Sequence, residues 1–220
     1  MLAPMPTAAP ARPELILALD LPDPVAAVAF LEPLRHRLRW VKVGLQLFLR
    51  EGPALVDAIA ALGFQVFLDL KLHDIPNTVA GAIGSLAGRP VGMLTLHASG
   101  GAEMMAAAVQ ARDAAMPDAK LLAVTVLTSL DGPALNATGV PDAPETQVER
   151  LARLAIGAGI DGLVCSPLEL PRLRDLPGKP LKVTPGVRPA SAAVCDQKRV
   201  TTPAQACADS ATHLVMRRPI

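Results

Sequence analysis

The stretch Phe64-Gln65-Val66-Phe67-Leu68-Asp69-Leu70-Lys71-Leu72-His73-Asp74-Ile75-Pro76-Asn77-Thr78 begins as an apolar strand and ends at a helix start. Side chains alternate along a strand, so Asp69 and Lys71 point to one face while Leu70 and Leu72 point to the other. Charges aimed inward at a strand end are costly unless they are paired. Two carboxylates and an ammonium packed together before a proline therefore predict a functional cluster rather than a salt bridge on a solvated edge.

Short apolar runs of this kind recur along the chain and read as continuous, which is typical of strands buried on both faces. The predicted strands are Leu15–Leu19, Val41–Leu45, Phe64–Leu68, Met93–Leu96, Leu121–Leu127, Gly162–Cys165, Leu181–Val183 and His213–Met216. Eight strands alternating with helical patterns predict an α/β fold, a (β/α)₈ or TIM barrel. A doubly wound open sheet is the alternative. It would be expected to carry a glycine-rich turn after the first strand, where this chain has Ala18-Leu19-Asp20.

Ala-rich helical patterns lie between the predicted strands. They are Pro24–Leu38, Gln46–Leu62, Thr78–Ala87, Ala102–Ala115, Glu145–Ala158, Pro167–Arg174 and Pro203–Asp209. No helical pattern follows the eighth strand, so the barrel is expected to lack its final C-terminal helix. Residues 1–13 contain four prolines and are predicted to form an extended or disordered tail. Residues 14–220 are predicted to form a single barrel domain.

The composition excludes several classes of function. The net charge is +1, so there is no bulk attraction to nucleic acid or to an anionic membrane. The three cysteines form no C-x-x-C pair, which argues against a disulfide framework or a zinc site and agrees with a cytoplasmic protein. No apolar run is long enough to span a membrane.

The polar residues of the pattern fall where barrel enzymes hold their chemistry, at the carboxyl ends of strands and in the loops that follow. These residues are Asp20, Lys42, Asp69, Lys71, His97, Thr128, Arg188, Arg217 and Arg218. The arginines follow strands seven and eight, the usual phosphate corner of this architecture. The pattern therefore predicts a charged barrel mouth that binds a phosphorylated ligand.

At these residues the chain closely resembles the orotidine 5′-phosphate decarboxylase family. The resemblance extends from Leu17 to Ile220, and the segment from Asp69 to Thr78 is its most specific part. Further matching segments are Leu17-Ala-Leu-Asp20, Lys42-Val-Gly44, His97-Ala-Ser-Gly-Gly101, Val124-Thr-Val-Leu-Thr-Ser129, Thr184-Pro-Gly-Val-Arg188, and Asp196-Gln197-Lys-Arg-Val200 followed by Thr202-Pro203. The resemblance implies decarboxylation of orotidine 5′-monophosphate to UMP with no cofactor and no metal.

The resemblance also implies roles for individual residues. Asp69, Lys71 and Asp74 form the charged array at the reacting carbon, with Lys71 as the proton donor. The implied substrate-binding residues are Asp20, Lys42, Ile75, Thr78, Thr128, Arg188, Gln197, Arg217 and Arg218. Among these, Ile75 and Thr78 enter the site of the other subunit together with Asp74, so the resemblance implies a homodimer with shared active sites.

Two positions depart from the family pattern. Arg217 stands where the family usually has a glycine before its last arginine, and Cys195 stands where glycine is common. A glycine before the last arginine lets a backbone N–H approach a phosphate closely, which a bulky side chain can block. Two alternatives stay open beside the decarboxylase. One is a Mg²⁺-dependent sugar-phosphate decarboxylase or aldolase of the same suprafamily, although Ile75-Pro76-Asn77-Thr78 argues against it. The other is a homologue that binds nucleotide but is catalytically impaired.

Overall fold

The structure, a computed structural model, describes residues 12–187 and 201–217 of the 220-residue chain. Eight parallel strands close into a barrel in sequential order. The strands are β1 (Glu14–Leu19), β2 (Trp40–Gly44), β3 (Gln65–Leu72), β4 (Val91–His97), β5 (Lys120–Val124), β6 (Gly162–Val164), β7 (Leu181–Thr184) and β8 (His213–Met216). β1 pairs with β8, with Leu17 opposite Met216, and this pairing closes the barrel. The predicted (β/α)₈ architecture is confirmed.

Helices cover the outside of the barrel. They are α1 (Pro24–Leu31), α2 (Leu45–Glu51), α3 (Pro53–Ala61), α4 (Pro76–Gly84), α5 (Gly101–Ala115), α6 (Gly132–Asn136), α7 (Pro144–Gly157) and α8 (Pro203–Ala208). α8 precedes β8, and no helix follows β8 within residues 12–187 and 201–217, as the pattern predicts. None of the described helices is long and apolar enough to cross a membrane.

Three predicted helices differ from the observed ones, each because of a proline or glycine. The single helix predicted over Gln46–Leu62 is two helices, because Gly52 adopts a φ of 69° and Pro53 starts the second one. α1 ends at Leu31 and continues only as a 3₁₀ turn over Glu32–Leu34. The segment Pro167–Leu173 is 3₁₀ rather than α-helical and has Pro171 within it.

Short α6 lies in the long connection after β5, outside the predicted helices. Asp131 caps this helix, because its carboxylate accepts a hydrogen bond from the Ala134 N–H at 3.1 Å. Pro133 occupies the first turn, where its missing N–H costs nothing. The connection is therefore partly ordered by its own local interactions.

The core has two layers, as expected for a barrel. The inner layer fills the barrel with alternate strand residues: Ile16, Ala18, Trp40, Phe67, Met93, Leu122, Val183 and Val215. The outer layer lies between strands and helices and is almost wholly aliphatic. Trp40, near the amino end of the barrel, donates its indole N–H to Glu14 at 2.7 Å. Because the inner layer fills the barrel, only the carboxyl ends of the strands remain open for a site.

Five predictions fall partly or wholly on residues that the structure leaves undescribed. Arg188, Gln197 and Arg218 lie outside the described residues, as does the departure at Cys195. So do residues 1–11 of the N-terminal tail.

Candidate active site

An open cavity of about 330 Å³ lies at the carboxyl ends of the strands. Its size is in the range of small-ligand sites. Polar residues line one side of it, and apolar residues from the later strands line the other. The lining residues are Ala18, Asp20, Lys42, Phe67, Asp69, Lys71, Val124, Val126, Leu127, Thr128, Val164, Cys165, Pro185, Gly186, Val187, Val215 and Arg217. The predicted residues Asp20, Lys42, Asp69, Lys71, Thr128 and Arg217 are thus brought together in one cavity.

Charges of alternating sign run across the polar side. Lys71 Nζ donates to Asp69 Oδ1 at 2.7 Å, and Lys42 Nζ lies 3.3 Å from Asp69 Oδ2. Lys42 Nζ also lies 3.6 Å from Asp20 Oδ1. Arg217 Nε lies 3.3 Å from Asp20 Oδ2 and extends the row by one cation. The row Arg217–Asp20–Lys42–Asp69–Lys71, called the charge row below, therefore spans β8, β1, β2 and β3.

β3 is irregular at the point where it supplies two of these charges. Leu68 pairs with Leu94 and Leu72 with Leu96, so four residue steps of β3 match two steps of β4. Two extra residues are therefore accommodated in β3, and Lys71 takes a positive φ of 51°. A left-handed backbone costs a residue with a side chain about 1–2 kcal/mol. The simple alternation used in the sequence prediction gives the correct faces but misses this bulge.

A threonine on β4 holds the bulge in place. The Lys71 backbone N–H donates to Thr95 Oγ1 at 2.8 Å, and Thr95 Oγ1 donates to Asp69 Oδ1 at 3.0 Å. Thr95 has no exposed surface. The sequence analysis missed it. The available signal was a lone hydroxyl inside the apolar run Val91–Leu96, two residues after the inward-facing Met93.

The charges of the row affect the pKa of the Asp69 carboxyl. Burial by itself raises the pKa of this carboxyl, but the charges of Lys42 and Lys71 oppose that effect. Hydrogen bonds from Lys71 and Thr95 also lower the pKa of Asp69. The result is a pKa below the ordinary value of the group. Asp69 is therefore a firmly ionised carboxylate held between two ammonium groups.

Asp74, Ile75 and Thr78 lie away from the cavity of their own chain. All three are exposed, and none lines the cavity. Asp74 Oδ1 accepts the Ile75 N–H at 2.7 Å, and α4 begins at Pro76. Ile75 is 66% exposed. The three predicted residues are thus presented on the outer surface at the start of α4.

Two histidines lie beside the charge row. The rings of His73 and His97 are 5.4 Å apart at a tilt of 36°. Burial lowers the pKa of His97, and the nearby His73 and Lys71 lower it further, while Asp69 acts in the opposite direction. The ordinary pKa of histidine is about 6.5, and that of His97 lies lower. His97 is therefore neutral near pH 7, beside the charge row.

The described residues include no group of three or more His, Cys, Asp or Glu side chains placed to hold a metal ion. The oxygens of Asp69 already have partners, since Oδ1 accepts hydrogen bonds from Lys71 and Thr95 and Oδ2 faces Lys42.

On the other side of the cavity, Gly186 takes a φ of 76° in the turn after β7, a conformation that glycine adopts without strain.

Comparison with known proteins gives consistent results. The model of the orotidine 5′-phosphate decarboxylase / HUMPS family matches residues 13–220. The orotidine 5′-phosphate decarboxylase of Opitutus terrae is 53% identical over 208 residues, covering 94% of this chain and 90% of that protein. The corresponding enzyme of an Anaeromyxobacter species is 54% identical over 204 residues, covering 92% of this chain and 88% of that protein. The crystal structure of orotidine 5′-phosphate decarboxylase from Lactobacillus acidophilus superposes with a TM-score of 0.83 at 37% identity, over 95% of this chain and 91% of that one.

Proposed function

Because the chain belongs to the orotidine 5′-phosphate decarboxylase / HUMPS family, we propose that it converts orotidine 5′-monophosphate to UMP in pyrimidine biosynthesis, without a cofactor. Curated relatives at about half identity over most of the chain carry the name of this reaction, so the chain is a decarboxylase, a carboxy-lyase. A biosynthetic role of this kind belongs in the cytoplasm.

One observation carries the proposal: Asp69 lies between the ammonium groups of Lys42 and Lys71, on the floor of a ligand-sized cavity. Breaking the bond between C6 and the carboxylate of orotate releases CO₂ and leaves an electron pair in the plane of the ring, where no π-system fully delocalises it. A fixed cation next to C6 stabilises that charge, and preorganised charges act most strongly where water is excluded.

Lys71 has the properties that the reaction needs. Its Nζ is compact, lies at the β3 end of the charge row and is held by Asp69 at 2.7 Å. In the proposed step, the proton on Nζ passes to C6, the C6 electron pair forms the new C–H bond, and water restores the proton on Lys71. Asp69 orients Lys71 and places a negative charge where the substrate carboxylate departs.

The remaining lining residues suit the other parts of the nucleotide. Asp20, directly after β1, and Lys42, within β2, lie next to each other, and the Asp20 carboxylate can accept hydrogen bonds from ribose hydroxyls. Thr128 lines the same cavity, and we assign it to the pyrimidine. We assign the phosphate to the side after β7 and β8, with Arg188 and Arg218 as its ligands, Arg217 adjoining them and Gln197 contacting the pyrimidine or its cover.

We also propose a homodimer in which each site is completed by Asp74, Ile75 and Thr78 of the other subunit. These residues are exposed and lie outside the cavity of their own chain. Leu45 and Leu49, at the start and middle of α2, are 48% and 79% exposed, and Ile75 is 66% exposed. These apolar side chains are available for contact with another chain, and burying them there is favourable.

A Mg²⁺-dependent sugar-phosphate decarboxylase or aldolase of the same suprafamily is the second candidate, because the matching family model covers HUMPS proteins beside orotidine 5′-phosphate decarboxylase. The engagement of both Asp69 oxygens by lysine and threonine favours the cationic mechanism. A nucleotide-binding but impaired homologue is the third candidate, because of Arg217.

Release of CO₂ from orotidine 5′-monophosphate, measured with and without EDTA and beside UMP affinity, separates the three. The proposal expects turnover that EDTA leaves unchanged. Turnover of a pentulose or hexulose phosphate that EDTA abolishes supports the second candidate. Tight UMP binding without CO₂ release supports the third.

A further inference from the structure

We infer that Thr95 is a positioning residue for the Lys71–Asp69 pair, its hydroxyl fixing both the left-handed backbone of Lys71 and the Asp69 carboxylate. The role of this pair in decarboxylation rests on the proposed function. The arrangement of Thr95, Lys71 and Asp69 rests on the geometry alone.

The hydroxyl of Thr95 makes two described hydrogen bonds, both with residues of the charge row. It accepts the Lys71 N–H at 2.8 Å and donates to Asp69 Oδ1 at 3.0 Å. Asp69 Oδ1 is the same oxygen that receives the Lys71 ammonium at 2.7 Å. The three groups therefore form a closed ring of contacts: backbone of Lys71 to Thr95, Thr95 to Asp69, and Asp69 to the side chain of Lys71.

The bulge explains why the Lys71 backbone needs such a partner. Between Leu68 and Leu72 the ladder with β4 is interrupted, so Lys71 has no regular place in it. A buried backbone N–H without an acceptor is costly, and a side-chain hydroxyl at the right height can replace the missing carbonyl. Thr95 lies between Leu94 and Leu96, the two β4 residues that frame the interruption.

The packing does not otherwise require a hydroxyl at this position. Thr95 is fully buried, and the nearest inward-facing residue before it on the strand is Met93, two residues earlier, in the apolar inner layer. Valine has nearly the shape of threonine and suits such a layer without a polar atom to satisfy. The only described hydrogen-bonding partners of the hydroxyl are Lys71 and Asp69, which indicates a role in placing them.

Thr212 provides a matched control at the opposite end of the barrel. Its hydroxyl also serves a neighbouring strand: it accepts the Lys182 N–H at 2.8 Å and donates to the Lys182 carbonyl at 3.1 Å. It directly precedes β8 and is absent from the cavity lining. The Thr212 hydroxyl also lies 3.0 Å from His213 Nδ1. Thr95→Val and Thr212→Val therefore each remove one hydroxyl together with its hydrogen bonds, but only the first substitution affects the charge row.

The experiment compares Thr95→Val, Thr95→Ser and Thr212→Val in steady-state kinetics, UMP binding and amide hydrogen exchange. Thr95→Val should lower kcat on the order of 100-fold, the effect expected of a misplacement near 1 Å, with KM and UMP affinity little changed. Thr95→Ser should retain most of the turnover, because the hydroxyl remains. Thr212→Val should lose thermal stability but keep kcat.

Exchange of the Lys71 amide gives a readout that does not depend on the reaction. Thr95→Val should expose this amide to faster exchange, while Thr95→Ser and Thr212→Val leave it protected. Unchanged kcat and unchanged Lys71 protection in Thr95→Val would overturn the inference, as would equal losses in Thr95→Ser and Thr95→Val. If the wild-type protein releases no CO₂, the proposed function fails, and the exchange rates still decide whether Thr95 fixes Lys71.

Discussion

Arg217 and Asp20 form a bridge between the last and first strands of the barrel. Arg217 Nε lies 3.3 Å from Asp20 Oδ2, and Arg217 Nη2 lies 3.5 Å from the Asp20 carbonyl oxygen. The same carboxylate lies 3.6 Å from Lys42 through Oδ1. Under the proposed function, ribose hydroxyls must compete with Arg217 for Asp20, so the departure from the family's glycine acts on the ribose side of the site.

Replacing Arg217 by glycine should leave kcat unchanged or raise it. The Arg217 side chain is 51% exposed, and exposed ion pairs contribute only about 0–1 kcal/mol, so little stability is lost and Asp20 is freed. Steady-state kinetics with orotidine 5′-monophosphate provide the measurement. Arg172→Ala is the control, because this arginine pairs with Glu149 at a similar 54% exposure and lies outside the cavity lining. A large loss in Arg217→Gly alone would show that Arg217 has been recruited to bind substrate.

Replacing Lys71 by alanine should abolish decarboxylation while UMP still binds. Both charge stabilisation and proton delivery are lost, so kcat should fall by at least ~10⁴-fold, the upper end of what proton transfer alone contributes. The measurement pairs CO₂ release with UMP affinity by calorimetry. Lys120→Ala is the control, because this lysine lies 3.6 Å from Asp161 at the start of β5 and is 49% exposed. Near-normal turnover in Lys71→Ala would remove Lys71 as the proton donor.

The titration of Asp69 should depend on Lys42. The native pKa of Asp69 lies below its ordinary value because Lys42 and Lys71 outweigh the opposing effect of burial, so Lys42→Met should raise it. ¹³C NMR of the carboxyl measures the change, and Lys120→Met should leave the titration where it is. An unaltered Asp69 titration in Lys42→Met would mean that burial and Lys71 alone set this pKa.

The same shift has a consequence for stability. A carboxyl whose native pKa is depressed stabilises the fold above its unfolded pKa, about 3.9 for Asp, and that contribution is lost as the pH falls through the native pKa. The free energy of unfolding should therefore decline below about pH 4. In Lys42→Met this part of the decline should be smaller, because the native and unfolded pKa values of Asp69 differ less.

Much of the fold follows from local pattern, and this explains which parts the sequence could predict. Continuous apolar runs mark strands buried on both faces, and all eight occur in the predicted order. The break at Gly52 is not visible in hydrophobic periodicity, because the apolar pattern continues through it into α3. Backbone conformation at one glycine, rather than side-chain pattern, decides that α2 and α3 are separate.

The site was only partly predictable for a related reason. Asp20, Lys42, Asp69 and Lys71 follow from strand ends, since the closed barrel brings the strand ends to one mouth. The role of Thr95 depends on the two extra residues in β3, and pairing between strands is not encoded in the alternation of either strand. In the proposed homodimer, the role of the exposed start of α4 likewise depends on another chain, which the pattern of one sequence does not describe.

The shared site can be tested by mixing two inactive proteins. If Asp74 completes the site of the other subunit, Lys71→Ala and Asp74→Ala homodimers should each be nearly inactive. In a mixed dimer, one site combines the intact Lys71 of one chain with the intact Asp74 of the other, and the second site carries both lesions. Equal mixing with free exchange makes about half of the dimers mixed, so activity should recover to roughly a quarter of wild type.

Two controls make the outcome decisive. Mixing two differently tagged samples of Lys71→Ala should restore nothing, and native mass spectrometry should follow the appearance of mixed dimers. Recovery should then rise in step with the mixed fraction and depend on protein concentration, because exchange requires dissociation. If mixed dimers form and activity does not return, Asp74 serves its own chain. The exposed Leu45, Leu49 and Ile75 would then need another explanation than a subunit interface that completes the active site.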